Sequence, residues 1–285
     1  SRFDRSSTIR RLRTWGTFSG LFRLYTCRLM ILAFAVLLLV ALGGALTYEL
    51  AGQHLKHRLP LVLAFGGAYL IGLIFLHLVP EAYAHGGQIG WYVLAGFLLQ
   101  VVLEWMSKGI EHGHVHLPSG SNKAMPWGVY ISLCLHALIE SMPLTEAGGH
   151  AHHDHHHHVH AAHLVWDQIN AQLLLGLGLH KFPVALVLMG LLAALGMSTM
   201  KRWGMLLVFG SMPLLGMGVY ELLVHSGAAW AAVVPSVTEG LLIGILLHIA
   251  TTILFETGDG HRFNLAKLAV IVVGLGVAAI SLGLA

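Results

Sequence analysis

Histidine and glutamate stand four residues apart at two notable places in this chain: His136 and Glu140 in LCLHALIESMP, and His77 and Glu81 in FLHLVPEAY. On a helix that spacing puts both side chains on one face, within reach of a single ion. An imidazole nitrogen beside a carboxylate oxygen suits borderline divalent cations such as Zn(II), whereas Mg(II) and Ca(II) want oxygen cages. His180, in LGLHKFPVAL, offers a third candidate ligand on the next apolar stretch. Pro143 follows Glu140 by three residues, and Pro183 follows His180 by three. A proline inside a helix frees the carbonyl four residues back, here those of Ile139 and Leu179. One such helix alone reads as carrying a satisfied buried histidine. Two in succession favour a shared metal site made by His136, Glu140 and His180.

The remaining polar groups in apolar surroundings are fewer. His77 and Glu81, with Pro80 between them, read either as a snorkelling structural pair or as a metal entrance. Glu239 in TEGLLIG and His248 in LLHIATTILFE lie on one later stretch and are candidates for a pathway. Glu239 equally suits a packing hydrogen bond, because Gly240 and Gly244 form a small-xxx-small face for close helix contact. Glu104 and Lys108 are four apart, most simply a local ion pair.

The elements that must position these groups are membrane spans. The apolar set makes up 56% of the 285 residues, charged residues 10%, and the mean hydropathy is +0.74. So few charges cannot cover a soluble surface, which excludes a cytosolic enzyme, a nucleic-acid binder and a secreted disulfide scaffold. Runs long enough to cross the hydrocarbon, about 20 residues each, fall at 28–48, 60–80, 88–106, 127–145, 169–195, 203–224, 229–255 and 265–285. An all-α polytopic membrane protein with eight transmembrane helices follows, its transmembrane metal-binding domain covering 29–285.

Lys56, Arg58, Lys108, Lys123, Lys201, Arg202, Arg262 and Lys267 all fall between helices one and two, three and four, five and six, or seven and eight. The opposite loops carry no lysine or arginine, so the positive-inside rule puts both termini outside the cytoplasm. The tail 1–28 disagrees, with Arg2, Arg5, Arg10, Arg11, Arg13, Arg23 and Arg28 against the single acid Asp4. Two readings of it stay open. It is an over-extended or processed segment, or it lies on the membrane surface through Trp15, Phe18, Leu21, Phe22 and Tyr25.

Twenty-one histidines are far more than spans need. EHGHVH at 111–116 falls on the cytoplasmic side by the loop charges. GGHAHHDHHHHVHAAH at 148–163 falls outside, with His150, His152, His153, His155, His156, His157, His158, His160 and His163. The bland alternative is a polar loop that merely tolerates metal. Nine histidines in one loop favour capture of divalent metal.

On these residues the chain from Met30 onward resembles the ZIP (Zrt/Irt-like) family of divalent metal transporters. Eight spans with both ends outside are similar, as is the second-span ending His77-Leu78-Val79-Pro80-Glu81. His136-Ala137-Leu138-Ile139-Glu140 resembles the family's HNxxE/D, and His180-Lys181-Phe182-Pro183-Val184 its HExPH/E. The resemblance implies a first metal site on His136, Glu140 and His180, with the fourth ligand position falling on Val184, which cannot bind metal. It implies a second site on Ala137, Lys181 and Met212, none of them a carboxylate or amide. Lys181 then stands as a second-site substitute, an ammonium where another metal would sit. The larger histidine tract joins the fourth and fifth spans rather than the third and fourth, so the family's loop role does not carry over. Pseudo-symmetry of the first and last three spans about the fourth and fifth is likewise implied, though the residues themselves do not display it.

The expectation is transmembrane transport of divalent metal into the cytoplasm, with Zn(II) first and Fe(II), Mn(II) or Co(II) after it. No cofactor is required. Partners are the lipid bilayer, the metal ions and, by the resemblance, a second copy in a homodimer; no nucleic acid is involved. The location expected is the cell membrane, multi-pass, of the bacterial inner-membrane kind. Entry runs by His77 and Glu81, binding by His136, Glu140 and His180, and exit past His248 toward His112, His114 and His116, with Glu239 also on the pathway. The chain is expected not to be an enzyme. The rival reading is an intramembrane zinc-dependent hydrolase, since three ligands and an open position also make a catalytic zinc site, with Glu239 as base.

Overall fold

The computed structural model describes residues 5–51, 58–84, 88–107, 125–148, 170–255 and 265–283, with side chains from residue 28 in the first stretch and to 145 in the fourth. All of the described secondary structure is helical. Helix α1 runs Arg5–Ala51, α2 Leu59–Ala84, α3 Ile89–Ser107 and α4 Trp127–Ile139, which tightens into a 3-10 turn over Met142–Gly148. Helix α5 spans Ala171–Ala194, α6 Thr199–Val224, α7 Val234–Phe255 after a 3-10 turn at Ala229–Val233, and α8 Leu265–Gly283. Eight helical segments are long and apolar enough to cross a membrane, so the chain is an all-α polytopic membrane protein. All the histidines of the two tracts, and the side chains of the N-terminal tail, lie outside the described residues.

Lipid-facing surface is laid out as a bilayer requires. Trp91 and Trp105, at the two ends of α3, are 73% and 81% exposed. They stand about 21 Å apart along the axis, in keeping with the aromatic belts that flank a hydrocarbon core. Helix α5 is the most enclosed span and α8 the least.

Lipid tails are as apolar as leucine, so these helices are held by close packing rather than by a hydrophobic drive. Helix α3 packs along α7, α2 along α8 and α7, α1 along α5 and α6, and α4 along α6. Glycines set the approach. A Cβ on Gly244 would meet the Val93 backbone, and one on Gly96 the Leu241 backbone, which confirms the small-residue face expected on α7. Contacts are dense within α1, α4, α5 and α6 and within α2, α3, α7 and α8, and sparser between the two groups.

The packing also reveals an exchange that the residues hide. Swapping α1–α3 for α6–α8, and α4 for α5, carries the α1/α5 seam onto α6/α4 and the α2/α8 seam onto α7/α3. In the first pair Gly44 lies on the Phe182 carbonyl, two residues past His180. In the second, Gly216 lies on the Leu138 carbonyl, two residues past His136. His136 and His180 are therefore equivalent positions, and Glu140 is the counterpart of Val184.

Candidate metal centre

The centre lies where α4 stops. Pro143 would drive its ring into the Ile139 carbonyl if the helix continued. Instead of the expected kink with a freed carbonyl, the α-helix ends at Ile139 and the chain tightens. The Ser141 hydroxyl donates to the carbonyls of Ala137 and Leu138, at 2.9 Å each, and so settles the last turn. Glu140 is the C-cap residue, its N–H on the His136 carbonyl at 3.0 Å, which holds its side chain one turn beyond the imidazole.

Pro183 behaves differently. Helix α5 runs on through it, and the freed Leu179 carbonyl faces Gly66 of α2, where a Cβ would sit 3.4 Å away. That approach suits a weak Cα–H contact from the neighbouring backbone.

His136, Glu140 and His180 are all buried, and one ligand atom from each lies within 4.8 Å of the others. His136 Nε2 is 3.0 Å from Glu140 Oε2. Ligands around a tetrahedral Zn(II) with bonds near 2.1 Å stand about 3.4 Å apart. The pair on α4 is thus already near ligand spacing, and His180 has to close by up to about 1.4 Å to complete it. The two imidazole rings are nearly perpendicular, 84° with centroids 5.7 Å apart. The donor set fits a borderline divalent cation.

Lys181 completes the electrostatics. Its ammonium donates to Glu140 Oε1 and lies 5.5 Å from the centre of the Phe209 ring on α6. One oxygen of Glu140 thus takes the ammonium, while the other lies beside the imidazole at 3.0 Å without forming a hydrogen bond to it. An uncompensated carboxylate at this depth would be costly, and the lysine neutralises it. Ala137, Val184 and Met212 join one apolar cluster with Phe209. The positions the family resemblance assigns to further ligands are therefore filled by packing, apart from Lys181.

His77 and Glu81 stand apart from this group. Pro80 has no N–H to give to the Leu76 carbonyl, and the preceding Ile74–Leu78 widens into a π-helical turn, with Val79 N–H bonded to the Ile74 carbonyl. His77 lies in that turn. Its Nε2 is 3.5 Å from Glu81 Oε2 and 3.0 Å from Asn170 Nδ2. Both the histidine and the glutamate are partly exposed, at 32% and 40%.

On the other side, His248 Nε2 is 3.3 Å from Glu104 Oε2, and Phe97 packs edge-on against the imidazole. Glu104 thus reaches across to α7; Lys108, its expected partner, lies outside the described residues. The Ser132 hydroxyl donates to the Leu103 carbonyl at 2.6 Å. Since Ser132 is one turn from His136, the backbone next to Glu104 meets α4 about one helical turn from the centre. Glu239 is half-buried in the second turn of α7 and is not one of the three clustered residues.

Sequence reasoning missed Asn170, Ser141, Phe209 and the Glu104–His248 pairing. Asn170 had a signal, an asparagine directly before an apolar helix, which is an N-cap signature. The others depend on which helices meet.

The chain matches no protein-family model and no curated protein.

Proposed function

We propose that this protein carries a divalent d-block cation, Zn(II) foremost, across the membrane through His136, Glu140 and His180, as a transporter of the ZIP kind. The observation that carries this reading is the burial of an imidazole–carboxylate–imidazole group between two central membrane-spanning helices. Ionisable groups at such depth are expensive and serve passage or relay of ions. Support for the family comes from the exchange of α1–α3 with α6–α8, under which the two ligand histidines are equivalent.

Lys181 and the cation compete for Glu140. A divalent ion about 5 Å from an ammonium is repelled by roughly 7 kcal/mol at an effective dielectric near 20. The lysine therefore swings off the carboxylate as metal arrives and returns as it leaves. That exchange keeps binding weak enough for release, the condition for conduction. The route runs from His77 and Glu81 through the centre and past Glu104 and His248, with the Lys201–Arg202 end cytoplasmic. Arg202 on α6 pairs with Glu49 at the end of α1 at 3.0 Å, which ties together two helix ends that the loop charges assign to the same side.

Glu140 is held by Lys181 and His136, and Glu239 is not part of the group, so the hydrolase reading has less to work with. Zinc uptake into proteoliposomes loaded with a zinc dye, beside His136→Ala, tests the proposal. Uptake that is lost in the variant supports transport; zinc binding without uptake by the wild type sinks it.

A further inference from the structure

Asn170 has two jobs at once. Its Oδ1 accepts the Leu173 N–H at 2.8 Å and caps α5, which leaves the amide Nδ2 facing His77 Nε2 at 3.0 Å. An amide NH2 only donates, so His77 Nε2 must accept, and the ring is neutral with its proton on Nδ1. Turning the amide over does not help, because Nδ2 would then confront the Leu173 N–H. The cap fixes the tautomer of a histidine on another helix.

That leaves two acceptors converging. Glu81 Oε2 lies 3.5 Å from the same Nε2, with no proton between them in this tautomer. An imidazole lone pair and a carboxylate oxygen at this distance match the ligand spacing of about 3.4 Å around a tetrahedral divalent ion. The π-helical turn at Ile74–Leu78 shapes this face, and such turns recur at functional sites. His77 and Asn170 also lie on either side of the boundary between the two helix groups, His77 on α2 and Asn170 at the head of α5.

We infer that His77 and Glu81 form a second divalent-cation site, and that Asn170 is its positioning residue: a cation takes the His77 lone pair from the Asn170 amide and so breaks one of the hydrogen bonds between α2 and α5, the helix that bears His180 and Lys181. The inference rests on the transport reading for the site's role as an entrance, while the binding itself does not require flux.

Co(II) titration of the full chain tests it, in a background with both histidine tracts changed to serine and the centre removed by His136→Ala. With His248→Ala and His225→Ala added to that background, visible absorption reports Co(II) with nitrogen and oxygen ligands, and its loss in the two variants below assigns it to the outer site. One equivalent should bind, and be lost in His77→Ala and in the near-isosteric Glu81→Gln. Asn170→Ser keeps a capping oxygen but has no amide to donate to His77. It should tighten Co(II) by about fivefold, the worth of one released hydrogen bond, with the cobalt spectrum retained. A purely structural cap would leave that affinity unmoved. Cobalt retained in both His77→Ala and Glu81→Gln overturns the site, and unchanged affinity in Asn170→Ser overturns the part given to Asn170. Because the background does not transport, neither result depends on whether the intact protein moves metal. Absence of flux in the intact protein would count against transport alone.

Discussion

His136–Glu140 and His77–Glu81 are the same two residue types at the same spacing, each near a proline, yet they are in opposite circumstances. The first pair is at most 2% exposed and the second 32% and 40%. The first gains a third candidate ligand from α5 and a neutralising ammonium from the residue beside it. The second gains a neutral amide. Spacing supplies the ligands, while depth decides what else must be present. A carboxylate deep in the bundle requires a counter-charge; one at the rim is screened by water and needs none. Under the proposed transport reading the rim pair meets cations first and the deep pair selects among them.

The sharpest way to break this comparison is to neutralise each carboxylate in turn. Glu140→Gln removes a ligand and orphans the Lys181 ammonium, and zinc uptake should fall to background. Glu81→Gln should reduce uptake only a few-fold, with the saturated rate largely kept. Equal losses in the two variants would mean that depth does not separate the roles.

Removing the counter-charge comes next. Lys181→Met leaves Glu140 buried without its cation, which should cost the metal-free protein about 3–5 kcal/mol. Zinc then takes over the lysine's electrostatic task. Zinc at a hundred times its Kd stabilises a single site by about 2.7 kcal/mol, and the variant should bind zinc more tightly than the wild type. Chemical denaturation with and without zinc measures both effects. A variant as stable as the wild type without metal would show that Lys181 is not what neutralises Glu140.

Which pair faces outward is settled by labelling. Cysteine at Ser198, beside Lys201 and Arg202, should resist an impermeant thiol reagent in intact cells, whereas cysteine at Ala228, at the other end of α6, should react. The reverse pattern would make His77–Glu81 the exit and Glu104–His248 the entrance.

Much of the fold was legible because membrane spans are written in continuous apolar runs. The fourth and seventh runs coincide with the helical spans Trp127–Thr145 and Ala229–Phe255, and the others shift by a few residues at their ends. The clustering of His136 with Glu140 was legible too, since four-residue spacing on α4 fixes a shared face. Lys181 bonds Glu140, in keeping with the cost of a lone ammonium at that depth. Beyond that, local pattern fails. Glu104 has a lysine four residues on, but its described partner is His248 on α7, a helix brought close by the glycine seam of Gly96, Gly240 and Gly244. Pro143 looked like a kink because sequence does not reveal that Ser141 can serve the last carbonyls of an ending helix. The exchange symmetry was invisible because it relates unlike residues, Glu140 with Val184 and Ala137 with Lys181. Backbone approach keeps the relation where side chains have lost it.

The smallest effect belongs to the histidine tract from His150 to His163, which lies outside the described residues and next to Asn170 in the chain. On the proposed transport reading its histidines are many, weak and interchangeable ligands, which would hold cations near the rim without selecting them. Local capture of this kind raises the effective concentration at a neighbouring site and leaves the site's own turnover alone. Replacing all nine histidines with serine should therefore lower uptake by about two- to fivefold when zinc is scarce. At saturating zinc the rate should match the wild type, because the rim pair is then filled from solution. Uptake measured across a zinc series separates the two regimes. Loss of the saturated rate would place the tract in the permeation path, and the rim pair would no longer be the first selective step. An unchanged rate at every zinc level would leave His77–Glu81 to collect metal unaided.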